Sequence, residues 1–391
     1  MKIVFIGPSK SIHLQRWVEW FVKRGHEIYL IDDNPQSIPG VNQYNLKQMY
    51  SRTGNRLLRY IKFEFNSSRL RRLEKMLKID DLKKIIRLRN LLRSINPDIL
   101  HLHTLFYPAY LGVLTNFHPL VVTPWNGDIV WKYQWSILRK YAVRRGLLKA
   151  DMITVDSEEL MGKVIQYGID NNKIKYISFG VDTGIFNPSA KNFQIRKLLD
   201  IDAHAPIVLS PRTLATMYNI DIIISAIPIV LCTFPDAIFV FSWHADTQKE
   251  ELTRLVDKLG VSKNVIFAGK IVDRGELANY YAEADVCVSI PSSDTIAISL
   301  LEAMACGAVP VVSDLPSTRE CVINEINGFI VPVRDIEATA QAIIKILSNK
   351  NIKNKVSEYN RYLVQKNFEW DKNMAKVENY YYQLLSERVN K

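Results

Sequence analysis

Cysteine is scarce in this chain: Cys232, Cys287, Cys306 and Cys321 are the only four in 391 residues, and no two form a CxxC pair. That excludes a disulfide framework and a thiolate metal knot, and it fits structural thiols in a reducing, cytoplasmic compartment, with all four expected in apolar core segments. No apolar run approaches the roughly 20 residues that a spanning helix needs. The opening MKIVFIGPSK is too short for a secretory core and reads as a first buried strand. The loop GPSKSIH after that strand lacks the GxGxxG fingerprint, which argues against a dinucleotide-dependent dehydrogenase. Acidic clusters with metal-ligand spacing, nucleic-acid motifs, internal repeats and low-complexity tracts are also missing. What is present is a globular balance, 48% hydrophobic and 23% charged, on a chain too long for one core, since single cores stop growing near roughly 250–300 residues.

Strand-length runs rich in Val and Ile alternate with helical patterns. KIVFIG, EIYLID, DILHLH, LVVTPW and MITVDS occupy the first half, and PIVLSPR, AIFVFSW, NVIFAG, ADVCVSI and VPVVSD the second. Nearly continuous apolar strands between helices predict parallel βαβ units buried on both faces. The expectation is α/β, with two doubly wound Rossmann-like domains facing a cleft, at 1–187 and 188–370, and a C-terminal helix at 371–391 returning to the first domain. Ligands in such sheets lie beyond the carboxyl ends of the strands.

Charge is uneven. The formal net charge is +11, and cations from Arg52 to Arg93 carry much of it. A solvated helix face, an anionic membrane surface or lipid-phosphate acceptor, and nucleic acid are the readings of that segment; no motif supports the last.

The most informative stretch is ADVCVSIPSSDTIAISLLEAMACGAVPVVSD at 284–314. A strand ends at Pro291, a polar loop follows, and a helix runs from about Ala297 to near Gly307. Asp294 then sits in the loop and Glu302, eight positions on, more than a turn inside the helix. Between them the backbone N–H groups of Ile296, Ala297, Ile298 and Ser299 begin a helix, where unpaired donors and the macrodipole favour phosphate. A phosphate flanked by two hydroxyl-reading acids describes a nucleotide sugar.

This stretch resembles the carboxylate signature of the GT-B retaining glycosyltransferases of family four. RGHEIYLID, GVDTGIFNP, FAGKIVDRGELANYYAEADVCVS and FEW extend the resemblance over nearly the whole chain. It implies that Glu302 binds the ribose hydroxyls, that Asp294 addresses the transferred sugar, and that the loop amides hold the diphosphate. Arg212 would stabilise the departing diphosphate, with a strand-end salt bridge as its structural alternative. Ile271 and Asp273 fall where the family contacts the base. Gly7 and Ser9 would lie near the phosphate, with His13 on the acceptor side. His103 would sit beside the reacting sugar or serve as a satisfied core histidine, with His101 on the other side of its strand. Asp128, in the place of the family's HG-containing loop, would line the cleft or cap a helix.

The chain departs from the pattern at Asp294, where glutamate is usual, at Met217, Tyr218 and Asn219, where a lysine is usual, and at Thr295 and Ala297, where glycine is common. What the resemblance implies is metal-independent transfer, without a cofactor, of a hexose or N-acetylhexosamine from a UDP- or GDP-sugar to a glycan or lipid-linked acceptor. The configuration would be retained, domain closure would exclude water, and the setting would be bacterial surface polysaccharide or lipopolysaccharide synthesis in the cytoplasm or on the inner face of its membrane. A catalytically weak nucleotide-sugar-binding subunit and a nucleotide-sugar epimerase are the rivals; a glycosidase is disfavoured because Asp294 and Glu302 address hydroxyls.

Overall fold

A computed structural model describes residues 1–51, 79–129, 137–243, 247–271 and 273–389. Most of the basic segment at 52–93, residues 52–78, lies outside them. The chain divides into two compact units: 1–155, 160–177 and 374–391 form the first, and 156–159 with 178–373 the second. Residues 178–187 therefore belong to the second unit, and most of the last helix to the first.

The first unit is built on a 7-stranded sheet in the order β3-β2-β1-β4-β5-β6-β7. Its strands are β1 (Lys2–Ile6), β2 (Glu27–Asp32), β3 (Val41–Asn45), β4 (Ile99–His103), β5 (Leu120–Thr123), β6 (Met152–Val155) and β7 (Ile174–Tyr176), all paired in parallel. Its helices include α1 (Ile12–Lys23), α2 (Ile79–Ile95), α3 (Ala109–Thr115) and α4 (Ile137–Lys149). Period-2 alternation sorts the strand residues by face. Val4, Ile6, Leu100, Leu102 and Val122 join one core cluster with Leu88 of α2, Val113 of α3 and Leu147 of α4, so these three helices cover a common face. Phe5 and His101 meet Trp17 and Phe21 of α1 on the other.

The second unit has a 6-stranded parallel sheet in the order β10-β9-β8-β11-β12-β13. The strands are β8 (Ile207–Ser210), β9 (Ile238–Ser242), β10 (Val265–Gly269), β11 (Val286–Ser289), β12 (Val309–Ser313) and β13 (Phe329–Val331). Among its helices are α5 (Ile220–Leu231), α6 (Arg274–Glu283) and α7 (Ile298–Cys306). The last helix, α8 (Trp370–Val389), brings Tyr381 onto the α1 face of the first sheet, where its ring stacks on Phe21 and its hydroxyl meets His101 Nδ1.

Both sheets are doubly wound, as the strand pattern predicts. The three strands that the pattern omits, β3, β7 and β13, are all edge strands; VNQYN and IKY lack the continuous apolar run of a strand buried on both faces. One cysteine departs from expectation: Cys232 caps the end of α5 and is exposed, while Cys287, Cys306 and Cys321 are buried. Its sulfur lies at the helix end, where its Sγ contacts the Pro228 carbonyl.

Candidate functional site

In each sheet the direction of winding reverses once, between β1 and β4 in the first and between β8 and β11 in the second. Loops leaving the carboxyl ends of such a strand pair diverge and open a crevice. The candidate residues are gathered at these two places.

In the second unit, Arg212 follows β8 and Asp294 follows β11. The Arg212 guanidinium donates from Nη2 to Asp294 Oδ2 and from Nη1 to Ser299 Oγ at 3.0 Å, and it lies 4.4 Å from the centre of the Tyr218 ring. Its Nε is buried without a hydrogen-bond partner among the described residues. Burial works against its charge, while Asp294 and Tyr218 outweigh that and move its pKa above the usual arginine value. Ser299 is in the first turn of α7, whose N-cap, Ala297, supplies no side-chain hydrogen bond. A guanidinium, an uncapped helix start and an unspent buried donor thus converge, and each favours an anion.

Glu302 is one turn further into α7 and 91% buried. Burial first, and then its carboxylate, push the Cys306 thiol up, and the same two causes in the same order raise Tyr281. Burial drives Cys287 up to about 12, with Arg212 lowering and Glu302 raising it, so both site charges act on this one strand residue. Ile296 is buried in the same apolar cluster as Ile271. Asp273 caps α6, its carboxylate accepting from the Glu276 amide at 2.8 Å.

The positions that lack the expected lysine have other work. Met217 offers its carbonyl to the Ser292 amide at 2.8 Å, and Asn219 donates from Nδ2 to the Ile290 carbonyl at 2.8 Å, so both pin the loop that carries Asp294. Tyr218 supplies the ring against Arg212.

Asp156 escaped the sequence reading. It is buried, hydrogen-bonded to the Thr295 and Ser157 hydroxyls and close to Asp294, while its Oδ1 has no partner among the described residues. Burial foremost, then Asp294, raise its pKa to about 7 against the Thr295 hydroxyl, which lowers it. Because the folded value exceeds the unfolded 3.8, the stability this group contributes is full below pH 3.8 and is lost as pH rises through about 7. Asp156→Asn should therefore be more stable than the native chain above pH 7, with a flatter pH dependence of urea unfolding; parallel profiles for the two proteins would refute it.

In the first unit, Gly7 ends β1 against the end of β4. A Cβ at Gly7 would lie 2.9 Å from the His103 carbonyl and 3.0 Å from His103 Cβ, so only glycine permits this approach. Both ring nitrogens of His103 are buried without hydrogen-bond partners among the described residues, and burial, then His13, lower its pKa to about 3. It is a neutral imidazole with two unused polar atoms and not a satisfied core histidine. His101 is the satisfied one, bonded to Thr123 Oγ1 at 2.7 Å and to Tyr381. Contrary to the expectation of opposite sides, the two histidines share a face, their ring centres 4.5 Å apart, because residues two apart on a strand point the same way.

His13 begins α1 behind its cap, Ser11, and faces the Trp125 ring at 6.0 Å. Ser9 is fully buried and internally committed: its hydroxyl donates to Asp32 Oδ2 at 2.7 Å and accepts from the Gln36 amide at 2.9 Å. Asp128, in the short helix Asn126–Ile129, accepts from the Trp125 amide, the Leu105 amide and the Thr104 hydroxyl. Burial still raises its pKa to about 6. It fastens the turn after β4, where Thr104 holds a left-handed φ of 73°.

Comparison with known proteins adds an independent line. The family model for glycosyl transferases group 1 matches residues 191–362, and that for glycosyltransferase family 4 matches 11–184. A D-inositol 3-phosphate glycosyltransferase of Xylanimonas cellulosilytica is 24% identical over 61% of this chain and 58% of its own. The UDP-Gal:alpha-D-GlcNAc-diphosphoundecaprenol alpha-1,3-galactosyltransferase of Escherichia coli is 22% identical over 80% and 81%. The matches span only 49% to 58% of the length of the first three curated relatives. Among solved structures, Anabaena HepE in complex with UDP-glucose superimposes with a TM-score of 0.74 at 17% identity, covering 100% of this chain and 99% of that one, a likeness of fold.

Proposed function

The chain belongs to the family 4, group 1 glycosyltransferases of the GT-B fold, and from that premise we propose that it transfers a hexose or N-acetylhexosamine from a nucleotide-sugar donor to a glycan or lipid-linked acceptor, with retention of configuration. The observation that carries the donor half is the convergence of Arg212, its unpartnered Nε and the uncapped start of α7 on one point, with Glu302 one turn deeper.

In this reading the donor's diphosphate takes the place in front of Ser299, receiving the Arg212 fork and the first amides of α7. Charge grows on the diphosphate as the bond to the sugar breaks, and a guanidinium fixed in a water-poor site stabilises that charge more than it stabilises the ground state. Glu302 accepts from ribose hydroxyls. Asp294, which neutralises Arg212 here, turns to the sugar hydroxyls once phosphate takes over as the counter-ion. Neutral His103 serves as a hydrogen-bond partner and not as a cation, given its lowered pKa, and His13 joins it as an acceptor-side residue. Gly7 supplies the close approach beside it, whereas Ser9 and Asp128 act by holding their loops.

The relatives' names set the choice of substrate. UDP-sugars head the proposal, since the Escherichia coli relative is named for UDP-Gal and HepE is solved with UDP-glucose. That same relative, named for a diphosphoundecaprenol acceptor, favours a lipid-linked one, in surface-polysaccharide synthesis at the inner face of a membrane. No helix among the described residues is long and apolar enough to cross a membrane.

Calorimetric titration with UDP-, GDP-, ADP- and dTDP-sugars should select one base, and Glu302→Ala should weaken that donor by about 10- to 100-fold, the worth of hydrogen bonds to a charged group. If no donor binds the folded chain, a degenerate, partner-dependent subunit becomes the better reading.

A further inference from the structure

Asn219, one of the residues standing where a lysine is usual, is fully buried with its side-chain amide engaged on both sides. Its Nδ2 donates to the Ile290 carbonyl at 2.8 Å and to the Ser292 hydroxyl at 3.0 Å, and its Oδ1 accepts from Arg334 Nη1 at 2.9 Å. A primary amide fits such a slot in two orientations, which exchange oxygen for nitrogen and alter little else. Arg334 decides between them. A guanidinium donates and cannot accept, so the oxygen must face Arg334 and the nitrogen is left for the Ile290 carbonyl. Turned over, the amide would set its oxygen against a carbonyl oxygen and its NH2 against a cation, in a place closed to water.

Arg334 is itself held on both sides. It follows β13 in the loop before the helix Ile336–Leu347, which shares an apolar cluster with α5, the helix that Asn219 caps. Its second terminal nitrogen, Nη2, donates to Asp221 Oδ2 at 2.8 Å, so the fork spans the first turn of α5. Its φ is 63°, in the left-handed region where a side chain costs energy and glycine does not. An arginine stands there in spite of that cost, and its side chain reaches the residue that pins the Asp294 loop. Ser292 is two positions before Asp294, and its amide donates to the Met217 carbonyl at 2.8 Å. The Ser313 and Ser317 hydroxyls hold the carbonyls of Pro291 and Asp294.

We propose that Arg334 is a positioning residue for the sugar transfer: by fixing the Asn219 amide it fixes the loop from Ile290 to Asp294, and with it the place where Asp294 meets the transferred sugar. This rests on the reading of Asp294 as the residue that addresses the sugar hydroxyls. The diphosphate, served by Arg212 and the start of α7, does not depend on it.

Arg334→Gly and Arg334→Ala remove the same side chain but differ in backbone strain, so the glycine variant should unfold at the higher urea concentration of the two. Release of nucleoside diphosphate from UDP-glucose, or from whichever donor the titration selects, should nevertheless fall about tenfold in kcat in both, within the roughly 10²-fold that a misplaced group can cost. Calorimetric affinity for the free nucleoside diphosphate should not change. Lys345→Ala, which removes another exposed cation of the same unit, paired with Glu325, should leave kcat as it is. Hydrogen exchange of the full chain without ligand should quicken at the peptide carrying Ser292 in both Arg334 variants and not in this control. A kcat loss that follows stability, larger for alanine than for glycine, would make Arg334 a structural residue and overturn the assignment. So would unchanged exchange at Ser292, or a loss of affinity for the nucleoside diphosphate equal to the loss in kcat. Quickened exchange in a chain that binds no nucleotide sugar would uphold the lock on the loop and refute the donor reading instead.

Discussion

Replacing Arg212 by alanine lowers the release of nucleoside diphosphate from the selected donor by about 10²- to 10³-fold in kcat, the usual effect of removing one preorganised charge stabiliser. The expectation rests on position. The guanidinium is anchored at two points, by Asp294 and by Ser299, and lies against Tyr218, so its donors need no further ordering, and Nε has no partner among the described residues. Arg212→Lys should recover little, because an ammonium is a point charge that cannot reproduce the fork or the stacking. Burst and steady-state rates should fall together if the loss is in the chemical step. A variant that raises KM and leaves kcat unchanged would move Arg212 from stabilising the leaving group to ground-state binding.

Glu283→Ala should be the most destabilising exchange in the second unit, by about 3–5 kcal/mol. The carboxylate at the end of α6 is buried and accepts from Arg196 Nε at 2.8 Å and from the Phe193 amide at 2.9 Å, with Lys191 Nζ 3.4 Å away. Arg196 is itself only 6% exposed and spends Nη1 on the Asp202 and Ala205 carbonyls. Alanine would strand that guanidinium in the interior, along with one amide. Urea unfolding should show a lower midpoint at an unaltered slope. Glu283→Gln keeps one acceptor and should cost less; equal losses for the two would show that packing, and not the charge, is what Glu283 provides.

The residues legible in the sequence were those whose partners are near in sequence or whose pattern is fixed by burial on two faces. The inner strands declared themselves by unbroken apolar runs. That Asp294 precedes α7 and Glu302 lies inside it could be read because both fall in one short stretch of sequence. The edge strands β3 and β7 were missed because VNQYN and IKY carry polar residues where an inner strand has an unbroken apolar run. Asp156 could not be found at all. A lone aspartate after a strand is commonplace, and its meaning comes from Thr295, brought beside it only by the fold. Ser9 and Asp273 show the converse, since residue types suited to a ligand were spent on Asp32 and on the first turn of α6.

Tyr381 is made 280 residues after the histidine it touches. At roughly 5–20 residues per second, the ribosome needs on the order of tens of seconds to add that stretch. Once Tyr176 has been made the first sheet has all its strands, yet Phe21 and His101 still lack the ring and hydroxyl that close over them. The first unit to be started is thus finished last. A nascent chain stalled within the second unit should remain sensitive to protease around α1, and a fragment ending near residue 187 should expose an aromatic surface that the complete chain covers.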